Sequence, residues 1–397
     1  MEAHLTEWLN LAIRWIHLIV GIAWIGASFY FVWLENHLDR RAPAEGLSGD
    51  LWAIHGGGIY HLTKYRLAPA QMPETLHWFK WEAYSTWLSG VALLTVVYYL
   101  NPGAYLIAPG SDLAPAAGIA LGFGSLLVGW FVYHGLCDSP LGRRPALLAA
   151  LLFGLIVAAA WGYAQVFSGR GAYIHVGALV GTLMVGNVFR VIMPAQRALV
   201  AAIEQGREPD PRLPARGLLR SRHNNYFTLP VLFIMISNHF PSTYGSRWNW
   251  LILAAIALLG VLVRHYFNTR HLHQRFAWTL PAAIIGLLAL ALITAPQRPA
   301  PTDATAAVPF AEVRALIDRH CVQCHASQPT SPLFGSPPAG VVFDTPEHIR
   351  DLAARIHAQA VATQIMPLGN LTGMTDQERA RLGAWIDQGA QLEPAPN

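Results

Sequence analysis

The amino-acid sequence predicts an all-α protein in two parts: a polytopic transmembrane helix bundle of about eight spans, followed by a small helical domain. Composition is the first reason, because 53% of the 397 residues are hydrophobic and only 13% are charged, whereas soluble proteins carry about 25% charged residues. The second reason is distribution, since apolar segments near the spanning length of ~20 residues fill positions 1–295. The third is a five-residue motif near the C-terminus.

The first domain, residues 1–295, contains eight apolar segments that predict helices crossing a lipid bilayer. These segments are 8–34, 79–100, 115–135, 146–166, 172–194, 226–240, 249–268 and 277–295. The sixth is the shortest and ends at His239. A Pro/Ala-rich stretch at 296–308 follows without apolar periodicity, so we expect it to be a flexible linker to the last domain, residues 309–397.

The C-terminal motif is the pentapeptide Cys321-Val-Gln-Cys324-His325. A C-x-x-C-H motif predicts covalent attachment of a c-type haem, in which both thiols form thioethers and the adjacent imidazole binds the iron. A thioredoxin-like redox pair and half of a zinc site are the alternatives for a C-x-x-C pair. Apolar residues at helical spacing in 309–320 and 376–389 predict helices on either side of the motif.

A small haem domain of this type needs a sixth iron ligand, most often a methionine thioether. Met366, followed by Pro367, lies at a suitable distance after the motif. Met374 is the other candidate, but it immediately precedes Thr375-Asp-Gln-Glu378, a capping box that begins a helix. We therefore expect His325 and Met366 to hold the iron of one haem c in a class I cytochrome c domain.

Two independent features predict the orientation in the membrane. Haem is attached to C-x-x-C-H motifs on the periplasmic side of the bacterial inner (cytoplasmic) membrane, so eight spans place both termini outside. The loops then predicted to be cytoplasmic contain fourteen Lys and Arg residues, whereas the predicted external loops contain only Arg170 and Arg247. This agrees with the positive-inside rule. The basic character therefore follows from topology, and it does not indicate a nucleic-acid partner.

Two histidines lie within the outer halves of predicted spans, where a buried ionisable group is a functional candidate by default. His17 is followed by Gly21 and Gly26, and His175 is followed by Gly181 and Gly186. Small residues at these intervals allow close helix approach and leave room for a flat cofactor. We therefore expect His17 and His175 to form a facing pair that could hold a haem b, the alternative being hydrogen bonds across the bundle.

Polar residues also concentrate at the predicted cytoplasmic side. His55-Gly-Gly-Gly-Ile-Tyr-His61 has the character of a permissive loop between two imidazoles, and Arg190 ends the fifth span. Arg222-His223-Asn224-Asn225 precedes the sixth span. Guanidinium groups and amides together suit a flat, anionic substrate rich in hydrogen-bonding groups, which makes Arg190, Arg222, Asn224 and Asn225 candidate binding residues. The positive-inside rule alone accounts for Arg212, Arg216 and Arg220.

Three stretches carry a resemblance to a known family. They are Trp24-Ile-Gly-Ala-Ser-Phe-Tyr30, Phe79-Lys-Trp-Glu-Ala-Tyr-Ser-Thr-Trp87 and the segment from His223-Asn-Asn-Tyr through Ile236-Ser-Asn-His-Phe-Pro-Ser-Thr-Tyr244. On these motifs the chain resembles the bacterial membrane-bound urate oxidase (urate hydroxylase) family, in which an eight-span domain is joined to a C-terminal cytochrome c. The resemblance covers essentially the whole chain.

The resemblance implies oxidation of urate to 5-hydroxyisourate, with electrons passing to the cytochrome and then to a soluble cytochrome c or a terminal oxidase. Histidine is the natural base for the attacking water near pH 7, and His223, His55 and His61 are candidates without ranking. Two other functions remain open at this point. The chain could oxidise another small metabolite or a quinol, or it could be a non-catalytic electron-transfer cytochrome subunit.

Overall fold

The computed structural model describes residues 2–69, 71–210, 212–271, 274–295 and 307–392. Most of these residues are helical, as predicted. The helices are α1 (Glu2–His37), α2 (Trp81–Leu94), α3 (Pro102–Tyr105), α4 (Pro115–Asp138), α5 (Pro145–Val166), α6 (Gly169–Asn187), α7 (Met193–Glu204), α8 (Arg212–Ile236), α9 (Pro241–Tyr244), α10 (Asn249–Thr269), α11 (Thr279–Ile293), α12 (Phe310–His320), α13 (Pro346–Asp351), α14 (Ala353–Ile356) and α15 (Asp376–Asp387). Two π-helical turns extend the bundle helices, Thr95–Tyr99 after α2 and Val188–Ile192 between α6 and α7.

Within the described part of the chain, six helices are long and apolar enough to cross a membrane. They correspond to α1, α4, α5, the continuous α6–α7 helix, α10 and α11. The other two predicted spans are also helical. The second is divided between α2 and its π turn, and the sixth belongs to α8, which begins at Arg212 and so includes an arginine-rich first half.

The all-α prediction is wrong at one place, because residues 47–65 form an antiparallel β-hairpin. Strand β1 (Leu47–His55) pairs with β2 (Gly58–Tyr65), with Ile54 opposite Ile59. Gly56 and Gly57 both have positive φ, the conformation that a two-residue hairpin turn requires. The glycines predicted to make an open loop therefore form a tight turn between β-branched and aromatic residues.

Helix α6 is the centre of the bundle. Its most apolar stretch is 67% buried, against 11–22% for the other five membrane-length helices. It packs against α2, α4, α5 and α8, and glycines on both sides permit the close approach. A Cβ at Gly129 of α4 would lie 2.3 Å from Leu179, and one at Gly186 would lie 2.4 Å from the Trp130 ring. The polar residues of α6 are therefore enclosed by neighbouring helices.

The C-terminal residues form a separate hydrophobic cluster, in which Ile317 of α12 and Leu382 and Trp385 of α15 are fully buried. Most of the predicted linker, residues 296–306, lies outside the described residues. The domain rests on the bundle through the segment after α14. A Cβ at Gly369 would lie 2.6 Å from the Gly103 carbonyl oxygen of α3, and one at Gly245 would lie 2.8 Å from Thr363.

Candidate functional site

The C-x-x-C-H motif follows directly from the end of α12. The backbone N–H groups of Cys324 and His325 donate to the Cys321 carbonyl at 3.1 and 2.9 Å. His325 Nδ1 lies 3.1 Å from the Val341 carbonyl oxygen, so Nδ1 carries the proton and Nε2 is the atom left for a metal, as in most metal-ligating histidines. Burial lowers the pKa of His325, which favours the neutral imidazole that iron binds. The motif therefore fits a c-type haem.

The two methionine candidates lie differently in the C-terminal domain. Met374 is 4% exposed in the core, and its N–H donates to Asn370 Oδ1 at 3.1 Å. Met366 packs at the margin of the same core, as Cys321 does. The buried Arg379 side chain donates to the Met366 carbonyl at 2.6 Å and to Asn370 Oδ1 at 3.2 Å. Arg379 therefore holds the loop that contains Met366 and Asn370 in place. Because this loop lies at the margin of the core, Met366 is favoured over Met374 as the sixth ligand.

The structure gives no support to the zinc alternative. Among the residues it describes, no three His, Cys, Asp or Glu side chains converge as a metal site, whereas a structural zinc ion requires four protein ligands. Cys321 and Cys324 thus have no further zinc ligands in the described part of the chain.

His17 lies beside a cavity of about 400 Å³ between α1, α2, α6 and α8. Its Nδ1 lies 3.0 Å from Ser89 Oγ and 3.1 Å from the Thr86 carbonyl oxygen, both on α2. Since the carbonyl only accepts, Nδ1 carries the proton. No bond to Nε2 occurs among the described residues. Thr86 and His17 both line the cavity, which we call the glycine cavity because Gly21, Gly90, Gly177 and Gly181 also line it.

The structure gives His175 surroundings different from those of His17, and the facing pair stays a prediction. His175 is fully buried and does not line the glycine cavity. Its Nδ1 bonds the Gly171 carbonyl at 2.8 Å, and its Nε2 lies 3.0 Å from Tyr99 Oη. Both ring nitrogens are thus engaged within the bundle. This is the arrangement that the hydrogen-bonding alternative describes.

A buried polar cluster joins α4, α6 and α8. Asn187 Nδ2 donates to Tyr133 Oη and to Asn224 Oδ1, both at 2.8 Å. Tyr133 Oη also lies 2.8 Å from His223 Nδ1, and Asn224 Nδ2 donates to the Met184 carbonyl at 3.0 Å. Asn187 is fully buried, Tyr133 is 2% exposed and Asn224 is 9% exposed. We call these four side chains the amide cluster.

Arg220 lies beside the amide cluster and was not recognised from the sequence. Its guanidinium lies 5.0 Å above the Tyr133 ring centre and donates to Asp138 Oδ1 at 2.8 Å. The side chain is only 1% exposed, although Asp138 is 32% exposed. The positive-inside rule explains an arginine at a helix end, but it does not require burial. In the sequence, the acidic residue Asp138 at the end of α4 was the one feature that could have indicated a partner for Arg220.

On another face of α8, Asn225 belongs to a second buried group. Its Oδ1 accepts from Arg264 Nε at 2.9 Å and from Asn268 Nδ2 at 2.7 Å, both on α10. The Arg264 guanidinium lies 4.2 Å from the Phe29 ring centre of α1. The consecutive residues Asn224 and Asn225 therefore serve different sites, because successive helix positions point about 100° apart.

Among the residues that the structure describes, several buried polar atoms in these two groups have no hydrogen-bond partner. They are Asn187 Oδ1, Arg220 Nη1, Asn225 Nδ2, Arg264 Nη2 and Asn268 Oδ1. A buried polar atom without a partner costs about 1–3 kcal/mol, and folded proteins contain few of them. Their concentration in the inner part of the bundle indicates a site for a polar ligand.

The remaining predicted site residues lie outside these clusters. His61 is on the exposed hairpin, where its Nε2 lies 2.6 Å from Asp50 Oδ2 and its ring stacks on Trp52. His55 is exposed at the end of β1, and Arg190 and Arg222 are also exposed. Of the predicted base and binding residues, the structure places His223 and Asn224 together in the amide cluster.

These features define a class: a polytopic helical protein with membrane-length helices, buried polar clusters and an attached small helical domain. The chain belongs to the urate oxidase N-terminal family, whose family model matches residues 3–295. That match covers the whole bundle and indicates an oxidoreductase with a urate-related function. Comparison with curated proteins and with solved structures gave no significant match.

Proposed function

We propose that this protein oxidises urate to 5-hydroxyisourate within the bacterial inner membrane and passes the electrons to a haem c on its periplasmic C-terminal domain. One observation carries the proposal: the family-matched bundle buries polar atoms that have no hydrogen-bond partner among the described residues. Urate is planar and anionic at neutral pH, and it presents N–H donors and carbonyl acceptors around its edge. It offers the complementary group to each of these atoms.

The amide cluster is the proposed substrate site. Arg220 Nη1 is a free donor for the urate anion, and Asn187 Oδ1 is a free acceptor for a urate N–H. The positive charge of Arg220 is buried and fixed by Asp138, so it acts in a low-dielectric environment where charge-assisted hydrogen bonds are strong. Asn225 lies on another face of α8. With Arg264 and Asn268 of α10 it forms a separate polar group.

His223 is the proposed general base. Oxidation converts urate and one water molecule into 5-hydroxyisourate, two protons and two electrons, so a group must accept the proton of the attacking water. Tyr133 Oη accepts from Asn187 Nδ2 and can also accept from His223 Nδ1–H. That arrangement leaves the lone pair on His223 Nε2, which bonds to none of the described residues. His55 and His61, on the exposed hairpin, are not included in this proposal.

The C-terminal domain would hold the electron acceptor. Cys321 and Cys324 would form the thioether links, and His325 and Met366 would be the axial ligands. When bound, the haem would supply a one-electron acceptor, which a soluble cytochrome c or a terminal oxidase would reoxidise. The protein's own contribution here is the fixed His325 ring and the loop held by Arg379.

The test is anaerobic addition of urate to membranes that contain the oxidised full-length protein, with the c-haem α band as the signal. Urate should reduce the haem. His223→Ala should slow this reduction about 10²- to 10⁴-fold, the usual contribution of a general base, without changing reduction by dithionite. The matched control is His37→Ala, at the other end of α1 from the cytochrome. A haem that dithionite reduces and urate does not would refute the proposal.

A further inference from the structure

We propose that the glycine cavity binds a second, non-covalent haem, with His17 Nε2 as the atom that would bind its iron. The inference deepens the proposed function, because this haem would relay electrons between the amide cluster and the C-terminal domain. It requires neither His175 nor the facing histidine pair. Its grounds are the shape of the cavity, the state of the His17 ring and the position of the cavity in the molecule.

The shape suits a flat, mainly apolar group. At about 400 Å³ the cavity falls within the usual range for cofactor pockets. Glycines on three helices form part of its wall: Gly21 on α1, Gly90 on α2, and Gly177 and Gly181 on α6. A Cβ at Gly181 would meet nothing within 4 Å, so this glycine faces open space and no neighbouring atom requires it. The missing side chain there keeps the cavity open.

The His17 ring is held as a metal ligand would be held. Its Nδ1–H donates to the Thr86 carbonyl, which fixes the tautomer and leaves the Nε2 lone pair available, as is usual for a histidine that binds a metal. Gly90 permits this position, since a Cβ there would lie 3.1 Å from His17 Cε1. Arg14, one turn earlier on α1, also lines the cavity and offers a guanidinium for a haem propionate.

The cavity lies between the two proposed redox partners. At one end Met184 lines it, and the Met184 carbonyl accepts the hydrogen bond from Asn224 of the amide cluster. At the other end Asn238 lines it and accepts from Tyr98 Oη at 3.3 Å. The Tyr98 ring lies 6.2 Å from the Tyr105 ring, and Tyr105 ends α3, the helix against which Gly369 of the C-terminal domain packs. A haem bound here would divide the electron transfer from the amide cluster to the C-terminal domain into two shorter transfers.

The relay also accommodates the electron count. Urate yields two electrons, whereas one haem c accepts one. A haem held at His17 would supply a second one-electron acceptor beside haem c, so that both electrons of one urate could be taken up before the external acceptor removes them through haem c. No proton or additional reactant enters this step.

The experiment is a pyridine haemochrome spectrum of the purified full-length protein, which distinguishes b-type from c-type haem. Wild type should contain one b haem for each c haem. His17→Ala and Gly181→Leu should each lose at least nine-tenths of the b haem and keep the c haem. The matched controls are His37→Ala and Gly154→Leu, since Gly154 also has nothing within 4 Å of a Cβ but does not line the cavity; both should retain b haem.

Wild-type protein with c haem alone would overturn the inference, as would full b-haem content in both cavity variants. The Gly181→Leu variant separates loss of haem from a folding defect, because the added side chain enters open space. The measurement uses dithionite and pyridine rather than urate. A protein with both haems that urate fails to reduce would therefore refute the proposed function and leave the cavity haem standing.

Discussion

Asn187 gives the sharpest test of the amide cluster. Replacing it with leucine keeps the side-chain volume close to that of asparagine and removes both amide atoms. Tyr133 would keep its contact with His223, but Asn224 Oδ1 would lose its donor at 2.8 Å. One orphaned acceptor in a buried site costs about 1–3 kcal/mol of the free energy of unfolding.

The same substitution removes Asn187 Oδ1, the proposed acceptor for a urate N–H. Loss of one hydrogen bond of about 1–3 kcal/mol lowers kcat/KM by roughly 5- to 150-fold. Asn187→Asp should lower it further despite its near-identical shape, because a carboxylate repels the urate anion and presents no donor to Asn224. The assay is stopped-flow reduction of the c haem by urate under anaerobic conditions, with thermal unfolding measured in parallel.

The control is Asn249→Leu. Asn249 is another buried asparagine whose Oδ1 has no partner in the described part of the chain, and its Nδ2 donates to the Tyr244 carbonyl at the N-terminal end of α10. It should lose stability to a similar extent and oxidise urate at the wild-type rate. An Asn187→Leu protein that is destabilised but kinetically normal would refute the assignment, and so would an equal kinetic loss in Asn249→Leu.

Three further predictions concern separate parts of the chain. Asp138→Asn leaves the buried Arg220 with its charge unpaired. Breaking a buried ion pair lowers the free energy of unfolding by roughly 3–5 kcal/mol, and because Asp138 is partly exposed we expect the lower end of that range. The measurement is the fall in Tm. Cys321→Ser should leave haem attached through Cys324 alone, which mass spectrometry of the tryptic peptide will detect; an unmodified wild-type peptide would contradict the c-haem assignment. The Thr375 N–H, chiefly, holds the pKa of Glu378 down to about 2 from its usual 4.5. This contribution to stability is therefore complete above pH 4.5 and is lost as pH falls towards 2, and Glu378→Gln should flatten the acid limb of the C-terminal domain's unfolding between those values.

The sequence was a good guide to helices because a bilayer-length apolar run leaves the backbone few alternatives. Each of the eight predicted segments is helical. The hairpin at 47–65 was missed because three consecutive glycines were interpreted as a loop, although the flanking Leu-Trp-Ala-Ile and Ile-Tyr-His-Leu segments have β-forming residues. The cytochrome and its haem stay predictions, supported by the geometry at His325 and Met366.

The candidate site was less accessible to sequence reasoning. Asn224 was found because an amide beside an apolar segment is unusual. Arg220 was set aside because a general topological rule already explained its charge, and only the fold shows that it is buried beside Tyr133. The surroundings of His175 were hidden for a related reason: a histidine in a span is visible in the sequence, but the Tyr99 hydroxyl that contacts its Nε2 comes from another helix.

The π-helical turn at Thr95–Tyr99 has a consequence for how this protein can change over evolution. Adjacent tyrosines in that turn reach separate targets, since Tyr98 contacts Asn238 at the glycine cavity and Tyr99 contacts His175 inside the bundle. Deleting any one residue from the turn would restore regular α-helical winding and rotate the residues that follow by about 100°. A one-residue gap at this place in a related chain would therefore mark a protein in which both contacts have been rebuilt.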